Sequence, residues 1–219
     1  EAQDAFALES QQRAARAIEA GHFQREITPV TVKVKRQDVV FDADEHPKPT
    51  TAEALANLRP VFEKDGTVTA GNASGINDGA AALVLARSDA AEAAGLQPRA
   101  RILGYAHAGV RPEVMGIGPV PAVRALLDRT RLKADEFDVI ESNEAFAAQA
   151  LAVSKELGLD PAKVNPNGGA ISLGHPVGAT GAIITVKALH ELERTGGHKA
   201  LITMCIGGGQ GIALAIERL

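Results

Sequence analysis

Apolar positions along the chain follow two different periods. Residues 4–20 (DAFALESQQRAARAIEA) form an amphipathic stretch rich in Ala, Gln, Glu and Arg, with Gly21 where a C-terminal cap belongs. That pattern predicts a helix. In ITPVTVKVKR the period shortens to two: Val30, Val32 and Val34 alternate with Thr31, Lys33 and Lys35. One apolar and one polar face predict a half-solvated strand. Residues 37–49 are polar, contain Pro47 and Pro49, and are expected to form an exposed loop. Thr50 to Glu53 is a capping-box pattern, opening a short helix that ends before Pro60.

The second part alternates more regularly. Residues 66–79 (GTVTAGNASGINDG) are dense in Gly, Asn and Ser and lead into AAALVLARS, a continuous apolar run that reads as a buried strand. Ser88 is expected to cap a brief alanine helix closed by Gly95. A strand over 99–110, a helix over 121–130 and a strand over 138–143 follow, the last turning directly into the helix EAFAAQALAVSKELG. A Gly/Asn/Pro loop at 165–178 precedes a long helix over 179–194. Two final apolar runs flank a glycine turn and predict a hairpin of central strands. This order predicts an α/β fold with a mostly parallel sheet covered by helices. The region 1–76 has a more polar texture and reads as a separate subdomain.

Composition refines this picture. With 45% hydrophobic and 23% charged residues, the 219-residue chain is of globular type. Alanine reaches 40 residues and glycine 22, against six Phe, one Tyr and no Trp, so the core must rely on close backbone approach. A net charge of −4 leaves no electrostatic footprint for duplex nucleic acid, although Lys33, Lys35 and Arg36 could together hold a phosphate. No apolar run is long enough to predict a transmembrane helix. The single cysteine, Cys205, excludes an internal disulfide. The chain opens inside a helical pattern, without Met or a signal-peptide pattern, and is expected to be a piece of something longer.

Three loops at strand ends or helix starts could carry chemistry. In Ser142-Asn143-Glu144-Ala145-Phe146, Asn143 sits between strand and helix, a placement that also fits a simple N-cap. Residues 168–181 contain five glycines around His175-Pro176. The glycines allow close backbone approach beside a helix N-terminus, and a histidine there can be an acid, a base or an oxyanion donor, or merely structural. Cys205 closes an apolar strand just before Gly207-Gly208-Gly209. It is either an inert buried thiol or a site thiol whose thiolate is favoured by free glycine N–H groups. His107 is read as core or edge and assigned nothing, and the histidines and cysteine show no metal-ligand spacing.

Taken together these loops resemble the C-terminal signature blocks of the thiolases. The resemblance rests on Asn143-Glu144-Ala145-Phe146, on Asn167-Gly168-Gly169-Ala170-Ile171 with Gly174-His175-Pro176, and on Cys205-Ile206-Gly207-Gly208-Gly209-Gln210-Gly211. Gly71-Asn72-Ala73-Ser74-Gly75-Ile76-Asn77-Asp78-Gly79 matches a fourth block, and the likeness runs the whole chain, looking most like the bacterial β-ketothiolases. It implies a thiolase-like α/β fold with a mixed sheet covered by helices. Residues 1–76 would be the remainder of the loop domain, 77–97 the end of the N-terminal half, and 98–219 the C-terminal domain.

It also implies an acyltransferase that condenses acyl-CoA with acetyl-CoA or cleaves 3-ketoacyl-CoA, with CoA thioesters as substrates and no cofactor or metal. By resemblance, His175 activates the nucleophile and helps hold an enolate oxygen, and Asn143 positions a water in the same oxyanion hole. Cys205 shuttles the α-proton, and the N–H of Gly207 serves the other oxyanion hole. Ser74 contacts the pantetheine arm, while Ala145 and Phe146 line the acyl tunnel. A ketoacyl-ACP synthase, which pairs its cysteine with two histidines, fits less well given Asn143 and Cys205. The family's nucleophilic cysteine lies in its N-terminal half and has no counterpart here. Three expectations follow: a missing N-terminal half or companion chain, a cytoplasmic homotetramer when complete, and an inactive, aggregation-prone 219-residue piece. The alternative is a non-catalytic thiolase-like protein that binds CoA or lipid.

Overall fold

The computed structural model describes residues 1–219. Helix α1 (Ala2–Glu19) ends as the sequence predicts. Gly21 takes φ +71°, the N–H of Gly21 reaches Ile18 O, and that of His22 reaches Ala17 O. These two bonds satisfy carbonyls the last turn would otherwise orphan. The buried stripe of α1 is small, with Ala7, Ser10, Ala14 and Ala17, so the helix can lie close to its neighbours. Its partners are remote in sequence: Gln11 donates to Ile171 O, and the Arg13 guanidinium to Val164 O at 2.5 Å.

Strand β1 (Val30–Val34) is as expected, but residues 37–49 are not simply a loop. Gln37–Phe41 form β2, antiparallel to β1 in an isolated two-stranded ribbon. The connection is the two-residue turn Lys35-Arg36, both with positive φ. Hairpin turns of this hand normally advertise themselves with Asn-Gly or Asp-Gly, and this one does not. Helix α2 (Ala52–Ala56) follows; its cap is Thr51, whose hydroxyl accepts from Ala54 N–H at 3.1 Å, one residue beyond the Thr50 predicted.

The apolar run AAALVLARS is the clearest departure. Residues 80–87 join neither sheet, and Val84 and Leu85 are 91% and 75% exposed. An apolar run becomes a buried strand only when other strands flank it, and none in this chain does. Helix α3 (Ser88–Ala93) then starts at Ser88 itself, with Arg87 in the cap position, and is closed by Gly95 at φ +66°.

The second body is one four-stranded sheet. Its strands are β3 (Ala100–Gly109), β4 (Val139–Ser142), β5 (Lys199–Ile206) and β6 (Gln210–Arg218), in the order β3-β6-β5-β4. Only β4 and β5 run parallel; β6 is antiparallel to both β5 and β3. The sheet is therefore mixed, not mostly parallel, because the β5–β6 glycine turn reverses the chain where helices would have kept it parallel. His107 is exposed on the edge strand β3.

Helices α4 (Pro119–Thr130), α5 (Ala147–Leu157), α6 (Ala170–Leu173) and α7 (Thr180–Thr195) cover and link the strands. The period of two assigns the two faces. On β5, Leu201 packs with Val123 and Leu126 of α4, while Ala200 and Ile202 pack with Ile184, Ala188 and Leu192 of α7. By the same alternation Thr203 and Cys205 share the Leu201 face. Truncating a residue such as Leu126, with no exposed surface, would cost about 2–5 kcal/mol. No helix is long and apolar enough to cross a membrane.

Candidate active site

Asn143 leaves the end of β4 and is held by its backbone: its N–H donates to Thr203 O of β5 at 2.9 Å. Helix α5 begins only at Ala147, with Phe146 in the cap position and no side-chain cap bond. Asn143 is thus not an N-cap. Its side chain is buried; Nδ2 lies 3.4 Å from His175 Nε2, and Oδ1 has no hydrogen-bond partner within the chain.

His175 follows the one-turn helix α6 through Gly174. Gly174 has φ +94°, and a Cβ there would come within 2.5 Å of Asn77 Oδ1. That oxygen accepts the His175 backbone N–H at 3.2 Å, as does Gly75 O. A side chain at 174 would therefore displace the group that anchors the histidine. At the ring, Nδ1 lies 2.7 Å from Thr180 Oγ1, and the Thr180 hydroxyl donates to Pro176 O at 2.9 Å. Burial pushes the His175 pKa below its ordinary value, so the ring is neutral at neutral pH.

Glu144 joins the two loops from beneath. It is buried, and its carboxylate accepts from Asn165 Nδ2 at 2.9 Å, the Ser10 hydroxyl at 2.7 Å and the Ile171 N–H at 3.2 Å. A Cβ on Gly169 would strike this carboxylate at 2.3 Å, which is why a glycine stands there. The network ties α1, the end of β4 and the α6 turn into one unit.

Ser74, Ala145 and Phe146 come together on one short bridge. The Ser74 N–H donates to Ala145 O at 3.0 Å, and Ala73 pairs with Phe146. The Phe146 ring meets Phe62 edge-to-face at 6.0 Å. Since Gly75 and Asn77 hold His175, the segment 73–77 links these residues to the histidine.

Cys205 and Gly207 stand at the end of β5. Cys205 is a buried free thiol paired with Gly211 across the hairpin. It makes no hydrogen bond with Asn143 or His175; the link between them is the β4–β5 pairing just before both loops. Gly207 is exposed, and its N–H makes no backbone hydrogen bond. Burial pushes the Cys205 thiol up, against the single favourable backbone N–H at its own position. Desolvation thus outweighs that one N–H in setting the direction of the shift.

The arrangement offers a neutral imidazole with an amide donor at Nε2, a free backbone N–H, and a protonated thiol. Such a set can take up a proton and stabilise a developing oxyanion. Sequence reasoning overlooked Thr180, Asn77 and Glu144 as parts of it. All three lay within the loops singled out above, but nothing in their spacing marked them as site residues. No three His, Cys, Asp or Glu side chains group where they could hold a metal ion.

Comparison with known proteins finds relatives in both sequence and fold. A model described as thiolase, N-terminal domain, matches residues 1–89, and one described as thiolase, C-terminal domain, matches residues 96–218. The beta-ketoadipyl-CoA thiolase of Pseudomonas aeruginosa is 64% identical over 220 residues, covering 99% of this chain and 55% of that protein. The beta-ketothiolase BktB of Cupriavidus necator is 62% identical, covering 99% of this chain and 56% of that protein. The crystal structure of the Bacillus anthracis acetyl-CoA acetyltransferase superposes with a TM-score of 0.97 at 56% identity, covering 99% of this chain and 55% of that one. Human mitochondrial 3-ketoacyl-CoA thiolase in complex with CoA gives 0.90 at 47% identity, covering 99% and 54%. The chain spans about half the length of the curated relatives it matches.

Proposed function

The chain belongs to the thiolase family, and from that premise we propose that it is the C-terminal part of an acyl-CoA C-acyltransferase. The complete protein condenses acyl-CoA with acetyl-CoA, or cleaves 3-ketoacyl-CoA in the reverse direction, and assembles as a homo-oligomer. Residues 1–76 are the remainder of its loop domain, 77–97 the end of its N-terminal half and 98–219 its C-terminal domain. The observation that carries the reading is the approach of Asn143 Nδ2 to His175 Nε2 at 3.4 Å, beside the strand β5, near whose end Cys205 stands.

The nucleophilic thiol comes from the remainder of the protein. Its proton passes to His175 Nε2, and its sulfur attacks the thioester carbonyl; the carbonyl oxygen takes on negative charge, which the Gly207 N–H offsets. As the carbonyl re-forms, the C–S bond to CoA breaks and the departing sulfur takes the Cys205 proton, leaving Cys205 as the thiolate. The covalent acyl intermediate divides the reaction into two steps and predicts ping-pong kinetics. In the second step the Cys205 sulfur removes the α-proton of the other thioester. A thiolate in a site that disfavours charge is the stronger base, so the raised pKa of Cys205 serves this step. The enolate oxygen is met by the protonated Nε2 of His175 and by a water held at the Asn143 amide; the enolate carbon then attacks the acyl carbon, and the nucleophilic sulfur leaves and takes back its proton from His175 Nε2. Removing one preorganised oxyanion donor costs about 10²–10³ in kcat. Ser74 reads the pantetheine arm; Ala145 and Phe146 line the acyl path.

In the whole protein, Cys205→Ser and His175→Ala should each keep CoA affinity and lose most condensation and thiolysis. Near-normal turnover in either variant overturns the assignment. A non-catalytic CoA-binding role would leave the intact protein without turnover on any thioester.

A further inference from the structure

We propose that Thr180 is the positioning residue that fixes the tautomer of His175, holding its proton on Nδ1 and leaving the lone pair on Nε2. This rests on the reading of His175 given above and extends it to a residue with no assigned role.

The argument is hydrogen-bond accounting around one ring. A threonine hydroxyl has one hydrogen to give and lone pairs to accept with. The Thr180 hydroxyl gives its hydrogen to Pro176 O at 2.9 Å, the carbonyl one helical turn back. It can then meet His175 Nδ1, 2.7 Å away, only as an acceptor, so Nδ1 carries the proton. The other side of the ring gives the same answer independently. Asn143 presents its Nδ2, a donor, to Nε2 at 3.4 Å, and a donor there requires a lone pair on Nε2.

The mechanical setting suits the task. Thr180 is buried, with only 2% of its surface exposed, and is the first residue of α7, a 16-residue helix. Its hydroxyl is thus fixed by a long element packed on the sheet. The histidine backbone is anchored separately by Asn77 and Gly75, so the two ends of the residue are set from different parts of the chain.

The consequence is an order of events at one nitrogen. At rest Nε2 can only accept a proton. When a thiol gives its proton to Nε2, the thiol becomes a thiolate and the ring an imidazolium with both nitrogens protonated. Only then can Nε2–H donate to an oxyanion, while Thr180 continues to accept from Nδ1–H. The opposite tautomer would begin with Nε2 already protonated and could not take up the thiol proton there.

The test uses the whole protein labelled with ¹⁵N, with the His175 ring signals identified by their loss in His175→Ala. The ¹⁵N shifts of the neutral ring should report Nδ1–H in the wild type. Thr180→Val, similar in shape but without the hydroxyl, should shift the ring toward Nε2–H and lower kcat about ten-fold or more with KM little changed. Thr180→Ser should restore both tautomer and rate. An Nε2–H ring in the wild type overturns the proposal whether or not any variant folds. So does an unchanged tautomer and kcat in Thr180→Val, or a failure of Thr180→Ser to rescue. Activity surviving in His175→Ala would instead overturn the role given to His175, and the tautomer assignment would stand apart from it.

Discussion

The Nζ of Lys187 lies 3.0 Å from Glu141 Oε2, with both side chains buried beneath α7. The same ammonium donates to Gly168 O at 2.7 Å, so one charge ties the sheet to the loop that leads to His175. Burying an ion pair gains little over an apolar pair, but removing one partner strands the other. Lys187→Met should therefore destabilise the protein by about 3–5 kcal/mol, read from denaturant melts. Adding Glu141→Gln should recover part of that loss. A Lys187→Met protein as stable as the wild type would mean that the pair carries no structural weight.

Glu26 gives a pH-dependent counterpart. Burial pushes its carboxyl up to about 7; Lys187 pulls it down, and the nearby Glu141, Asp44 and Glu191 push it further up. The folded chain thus binds more protons than the unfolded chain between the ordinary glutamate value and about 7. Stability must fall as pH rises through that window. Glu26→Gln removes the ionisation and should raise the melting temperature, with a larger gain at pH 8 than at pH 5. A gain independent of pH would show that the carboxylate is not desolvated.

Cys205 is the chain's only thiol, so its chemistry can be followed without interference. Burial raises its pKa, whereas a free thiol titrates near 8.5. Alkylation by iodoacetamide at pH 7.5 should be slower than that of glutathione, and should keep accelerating at pH values where glutathione has levelled off. A rate equal to that of glutathione at pH 7.5 would show that the thiolate is favoured after all.

The loops assigned the chemistry were more legible than the architecture that holds them. Asn143, His175 and Cys205 stood out because glycine clusters and strand ends surround them, and a site that needs close backbone approach writes itself in glycine. The sheet was legible as α/β from alternation, but its mixed direction was not, since a glycine turn between apolar strands says nothing of which neighbour each strand takes. Strand β2 was missed because Lys35 and Arg36 adopt left-handed turn conformations without the usual residues. The run at 80–87 was misread because apolar composition states a preference for burial, not the presence of a partner. Glu144 acts through contacts of tertiary origin and Thr180 through a local turn contact to His175, neither of which hydrophobic periodicity encodes.

The distant partners of α1 set an order on folding. Ser10 meets Glu144 across 134 residues, and Gln11 meets Ile171 across 160. Contacts of such separation are reached only after the intervening chain has lost much of its freedom, whereas the β5–β6 hairpin closes locally. During synthesis the helix emerges well before the residues it docks on. It must wait, half-exposed, until the α6 turn exists, so the loop that presents His175 is completed only when segments some 160 residues apart meet.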